Sequence, residues 1–339
     1  MKMKKTLALP FLALLLCSAA LVSLYLGKYR VPLPEICQFV GWKIFGITGI
    51  AEEKRVLLAN ILLDIRLPRI MAASLIGASL SVSGAAFQAL FINPLVSPGL
   101  LGVLAGASFG AALGMICAKS WLIVQLSTLL FGFAAVAVAM GIARIFRTHS
   151  IIMLVLGGII SGAFFTASLS IIKYTADPTN QLPAIVYWLM GNLSAVDGNT
   201  LWIVSLPMLL GIVTLIFNGG RLNVMSMGEE EAKSLGINVG RVRAMVIFLA
   251  TLISALTVMI GGMIGWVGLI IPHICRMIVG PDNRLLLPAA ALTGAIYLLV
   301  VDDVSRLLFN FEIPTGIVTS LIGIPFFVLV LKNAHRGWK

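Results

Sequence analysis

The sequence predicts an all-α integral membrane protein, with about ten transmembrane helices in one domain covering residues 1–339. Three observations lead there. Hydrophobic residues make up 60% of the chain and charged ones only 11%, against roughly 25% charged in a soluble domain. A soluble chain so poor in charge would expose large apolar patches. Charge-free runs also recur: no Asp, Glu, Lys or Arg falls within 6–27, 70–118, 120–143, 150–172, 244–275, 285–301 or 313–331. A helix crosses a hydrocarbon core of ~30 Å with about 20 residues, so each run is long enough to hold a span. Finally, no run alternates polar and apolar residues over about 10 positions, as barrel strands do. Backbone groups in lipid must be satisfied within the segment, which makes these runs helices.

The spans are expected near 7–27, 68–90, 99–118, 121–143, 150–172, 199–218, 242–263, 266–279, 285–304 and 315–332. The first follows the basic stretch Met1–Lys5; Leu14-Leu15-Leu16-Cys17 lacks the small residues of a lipoprotein cleavage site, so it reads as an uncleaved span. Residues 28–66 form an external segment rich in Lys and Arg. After the second span, Asn93-Pro94-Leu95-Val96-Ser97-Pro98 is a tight turn, because each proline disfavours helix at the residue before it. Gly102, Gly106, Gly110 and Gly114 recur every fourth residue in the third span. This places small residues on one face, where a neighbouring backbone can approach closely. Residues 173–198 are a second external segment, with a short helix from Gln181 carrying Tyr187, Trp188 and Met190 to the membrane interface. In the long loop 219–241, the stretch Gly228–Gly236 reads as a short helix, acidic at its positive end and stopped by glycine.

An even number of spans puts both termini on one side. With that side cytoplasmic, fourteen Lys and Arg lie inside and ten outside. Seven of the ten outside fall between 28 and 69, more than an ordinary external loop carries. The net charge of +11 is scattered over short loops, which suits topology and lipid contact, not nucleic acid. Cys17, Cys37, Cys117 and Cys275 have no metal or redox spacing and imply no disulfide framework. His149, His273 and His335 are far apart, with no Cys or acidic partner nearby, so no metal site or catalytic cluster is expected. The phosphate-loop pattern is absent. Carriers driven by ion gradients often keep an acid inside a span. Mid-span positions here are free of Asp and Glu, which argues for energy supplied from outside the chain.

Three blocks carry a family resemblance. The first comprises Arg66-Leu67-Pro68-Arg69, Gly84-Ala85-Ala86-Phe87-Gln88 and Asn93-Pro94-Leu95-Val96-Ser97-Pro98-Gly99. The second is Gly265-Trp266-Val267-Gly268-Leu269-Ile270-Ile271-Pro272-His273-Ile274-Cys275-Arg276. The third joins Glu312-Ile313-Pro314-Thr315-Gly316 with Gly323-Ile324-Pro325-Phe326-Phe327. Together they resemble the permeases of ABC importers for iron–siderophores, haem and vitamin B12. The Met190-Gly191-Asn192-Leu193 variant is similar to a branch that includes molybdate and tungstate importers.

The resemblance implies a type II ABC importer permease, acting as a homodimer in the cell membrane. It implies two ATPase subunits below that hold ATP and Mg, and a periplasmic or lipid-anchored binding protein above. No cofactor is implied in this chain. The segment 228–237 is similar to a coupling helix, making Glu229, Glu230, Glu231, Ala232, Leu235 and Gly236 the expected ATPase contacts. Arg66, Arg69 and Arg306 are expected to meet carboxylates of the binding protein; Arg306 could equally pair with Asp302 and Asp303 on its own helix face. Asn93, Leu95 and Ser150 are expected at a cytoplasmic gate, though Asn93 also suits a simple turn. The competing class is a self-sufficient secondary transporter or channel.

Overall fold

The computed structural model describes residues 5–46, 51–118, 120–145, 151–194 and 196–334. From the N-terminus, α1 (Lys5–Tyr25) is followed by α2 (Leu33–Phe45) and α3 (Glu52–Ala59). A π-helical stretch, Asn60–Arg66, continues α3 into α4 (Leu67–Leu90). After a 3₁₀ turn at Pro98–Leu101 come α5 (Val103–Cys117), α6 (Trp121–Ile145) and α7 (Ile151–Thr175). Next are the short α8 (Gln181–Leu189), α9 (Gly198–Phe217), α10 (Gly219–Met225) and α11 (Glu229–Ser234). The chain closes with α12 (Val239–Gly261), α13 (Val267–Val279), α14 (Asn283–Leu307) and α15 (Thr315–Ala334).

Seven of these segments are long and apolar enough to cross a membrane, and α5, α13 and α15 are shorter apolar helices. Together they occupy the ten expected spans. The second span departs most from expectation. It does not begin at Pro68 but runs unbroken from Glu52 to Leu90. Pro68 lacks an N–H and its ring crowds the preceding turn, and the wide π-helical turn before it accommodates both effects.

α4 is the hub of the bundle, packed against α14, α12, α13 and α9. Every residue from Ser79 to Leu90 is buried, as expected of a helix that is small and apolar all round. By contrast, α1, α6 and α7 keep broad apolar faces exposed, the surfaces available to lipid or to another subunit. The glycine stripe does pack closely: a Cβ on Gly106 or Gly110 would strike the carbonyl of Phe131 or Ser127 on α6. Gly102 is the exception to the predicted common face. It caps the 3₁₀ turn at φ 80° and abuts Gly162 of α7 instead.

Candidate functional site

Two cavities that share Leu104, Leu189, Met190 and Met263 form one groove along the flank of the bundle. The larger, about 690 Å³, lies between α5, α7 and α8. The smaller, about 430 Å³, continues along α15 past Gly316, Ser320 and Ile324. The groove depends on a break between α12 and α13. There Gly262 (φ 68°) and Gly191 (φ 76°) adopt left-handed backbone, and the Asn192 amide donates to the Gly261 carbonyl at 2.9 Å. A Cβ on Gly316 would strike the Met190 and Met263 carbonyls, so glycine lets α15 seat against both loops. Such irregular backbone is tolerated at membrane depth where it lines a cavity or is buried in protein. The walls are mostly aliphatic, with few polar groups to fix a ligand in one orientation.

The arginine cluster sits where the C-terminal ends of α1 and α14 meet the start of α4. Arg69 forks onto Asp302, Nε to Oδ2 at 2.8 Å and Nη2 to Oδ1 at 2.9 Å, and its Nη1 reaches Glu312 at 3.0 Å. Arg66 donates to the carbonyls of Leu24 (2.6 Å), Tyr25 (3.1 Å) and Tyr29, satisfying the C-terminal end of α1. Arg306 bonds Asp303 and the Ser23 hydroxyl and carbonyl, with its Nε 3.8 Å from Asp302. The pairing of Arg306 with its own helix neighbours is therefore present. The three arginines are only 4%, 8% and 6% exposed. Their guanidinium groups are spent inside the chain, tying three helix ends together, and are not free forks on the surface. Lys28 and Arg30 are the exposed cations beside them.

The turn after α4 is an Asx turn: Asn93 Oδ1 accepts from the Leu95 amide at 2.9 Å. Leu95 is exposed, and Ile92 holds a left-handed φ of 49°, a conformation that costs a non-glycine residue about 1–2 kcal/mol. Two side chains that the sequence reading had not assigned hold this turn. Gln88 donates to the Val96 carbonyl at 3.2 Å and is itself bonded by Arg276 of α13. Both residues stand in the blocks quoted above, but only the fold brings them together. Ser150, the third gate candidate, lies outside the described residues, as do His149 and His335.

In the long loop between α9 and α12, α11 takes the predicted short-helix form. Ala232 is fully buried, and Glu229 pairs with Arg243 of α12, so both face the bundle. Glu230, Glu231, Leu235 and Gly236 are exposed. Below the helix, Asn223 of α10 bonds Asp282 at 2.6 Å and accepts from the Asn283 amide at 2.8 Å. That fastens the loop to the start of α14. The four cysteines are free, and no cluster of metal-ligating side chains occurs among the described residues.

Comparison with known proteins adds three findings. The FecCD transport family profile matches residues 14–333. The molybdate import system permease protein MolB of Haemophilus influenzae is 40% identical over 326 residues, 96% of this chain and 95% of that protein. The vitamin B12 import system permease protein BtuC of Vibrio cholerae is 37% identical over 282 residues, 80% and 82% of the two chains. Among solved structures, an inward-facing metal-chelate type ABC transporter superposes with a TM-score of 0.83 at 38% identity, covering 97% of this chain and 99% of that one.

Proposed function

Because the chain belongs to the FecCD transport family, we propose that it is the membrane-spanning permease subunit of a binding-protein-dependent ABC importer. In this reading it carries a metal-containing solute inward (an iron–siderophore, haem, cobalamin or molybdate/tungstate) on energy from a separate ATPase. The observation that carries it is the groove: long, weakly polar and open along one side. A second copy of the chain would supply the missing wall, so the working unit is a homodimer. In this reading the exposed residues of α11 dock one of the two ATPase subunits that hold ATP and Mg. The outer face receives a soluble or lipid-anchored binding protein. Lys28 and Arg30 present accessible positive charge there, and Arg66, Arg69 and Arg306 hold that surface in shape from beneath. Both termini lie in the cytoplasm, and the membrane is the inner membrane of a bacterial or archaeal cell.

A self-powered carrier is disfavoured by the one buried carboxylate among the described residues. Asp302 is 1% exposed, lies between Arg69 and Arg306 and lines neither cavity of the groove, so it is a structural ion pair and not an isolated acid on the path. The decisive experiment is reconstitution in liposomes with and without the ATPase and binding protein. Uptake is expected only with both partners and ATP. Uptake by the chain alone, indifferent to internal ATP, overturns the importer reading. Binding of ferric chelates, haem, cobalamin and molybdate to the partner protein then identifies the cargo.

A further inference from the structure

Lys173 is the only charged side chain lining either cavity of the groove among the described residues. It stands in the last turn of α7, at the external end. The face of α7 that lines the groove runs from Gly158 and Ile159 through Gly162, Thr166 and Leu169 to Lys173. The opposite wall, from Leu104 to Ser108 on α5, contributes one hydroxyl and no charge. No described carboxylate lies within ion-pair distance of the Lys173 ammonium. The nearest acid along the chain, Asp177, is turned into its own loop. It accepts from the Thr179 hydroxyl at 2.9 Å and the Asn180 side-chain amide at 3.0 Å, and it does not line the cavity. The result is a half-buried, unneutralised cation at the mouth of a low-dielectric groove, where field lines from a single charge are focused inward.

We propose that Lys173 is a charge filter at the outer mouth of the groove, favouring cargo of net negative charge, such as an oxyanion or an anionic chelate, over cationic cargo. The proposal rests on the permease reading for its second copy, which would bring a second ammonium to the same mouth and double the effect. A lysine stem can lie along aliphatic wall while its head stays hydrated, so Lys173 would attract an anion without forming a closed binding pocket. Weak attraction suits a conduit, since a tightly held anion would not leave.

The test reads charge selectivity without knowing the cargo. Thr166 lines the groove seven residues before Lys173, on the same helix face, and its side chain is exposed. Thr166→Cys is introduced into the full chain, with the exposed Cys17, Cys37 and Cys117 changed to Ser, and reconstituted in liposomes. Its labelling rates are measured with an anionic (sulfonatoethyl) and a cationic (trimethylammonioethyl) methanethiosulfonate. The anionic reagent is expected to be favoured. Lys173→Gln should lower the anionic-to-cationic ratio about tenfold at low salt, by Coulomb interaction across roughly 10 Å in a partly hydrated channel. Lys173→Arg should preserve the ratio, and ~1 M salt should collapse it in every variant.

A ratio unchanged by Lys173→Gln overturns the filter. Reduced yield or thermal stability with an unchanged ratio assigns Lys173 to membrane anchoring, and overturns it equally. Ile159→Cys, deeper on the same wall and exposed, provides a second reporter if Thr166→Cys labels too slowly. ATP-driven uptake with both partners, measured in parallel, judges the importer reading separately. Charge-selective labelling without such uptake keeps the filter and rejects the importer.

Discussion

Arg69 and Asp302 illustrate how much rests on single side chains in this bundle. Their bidentate contact joins α4 to α14 at a point nearly closed to water, where Arg69 is 8% and Asp302 1% exposed. Removing one partner strands a buried charge, which costs about 3–5 kcal/mol, whereas replacing both with apolar groups is often neutral. Arg69→Leu should therefore sharply lower the thermal midpoint in detergent. Arg69→Leu combined with Asp302→Leu should recover much of the loss, because Arg306 keeps Asp303 and Ser23 as partners. A double variant no more stable than the single would show that the pair is not the source of the effect. Outside the spans, Asp177 illustrates a gentler influence: hydrogen bonds from the Thr179 amide and hydroxyl and from Asn180 hold its carboxyl below the usual range.

At the scale of elements, two contacts matter most. Gly84 of α4 meets the Gly268 backbone of α13, and a methyl at either position would drive into the other helix. Both partners are rigid backbone, so the overlap cannot be relieved by a rotamer change. Gly84→Ala should destabilise the protein by about 1–3 kcal/mol, read as a lower thermal midpoint; an unchanged midpoint would mean that α13 yields freely. The second contact is α11 with its surroundings. Glu230 and Leu235 point outward, whereas Ala232 and Glu229 anchor the helix to the bundle. Glu230→Lys with Leu235→Ala should weaken ATPase association at least tenfold, as expected when an exposed anchor and a rim charge are lost together, while leaving the thermal midpoint of the isolated chain in place. Association unchanged in a pull-down titration would remove α11 from the coupling interface.

For the whole molecule, the open groove and the bare apolar flanks of α6 and α7 make one chain an incomplete conduit. The chain purified in mild detergent is expected to be a dimer by light scattering or native mass spectrometry. A monomer that still transports with its partners would require the groove to be walled in some other way.

The sequence by itself determined the membrane class, the ten apolar helices and the short helix of the long loop. Each follows from local rules: lipid forbids unsatisfied backbone, so a charge-free run of sufficient length becomes a helix. The turn at Asn93–Pro98 was legible for the same local reason, since prolines and an Asx residue act on their immediate neighbours. Tertiary structure decided what the polar exceptions with distant partners do. Arg69 finds Asp302 and Glu312 across 233 and 243 residues, and Gln88 finds Arg276 across 188. No periodicity or spacing records such distances. Arg66 and Arg69 looked like free surface charge because sequence shows a charge but not a distant partner, whereas the pairing of Arg306 with Asp302 and Asp303 was legible from helix spacing. Only packing revealed that all three arginines are spent holding helix ends together, and that Lys173 is the cation left facing the groove.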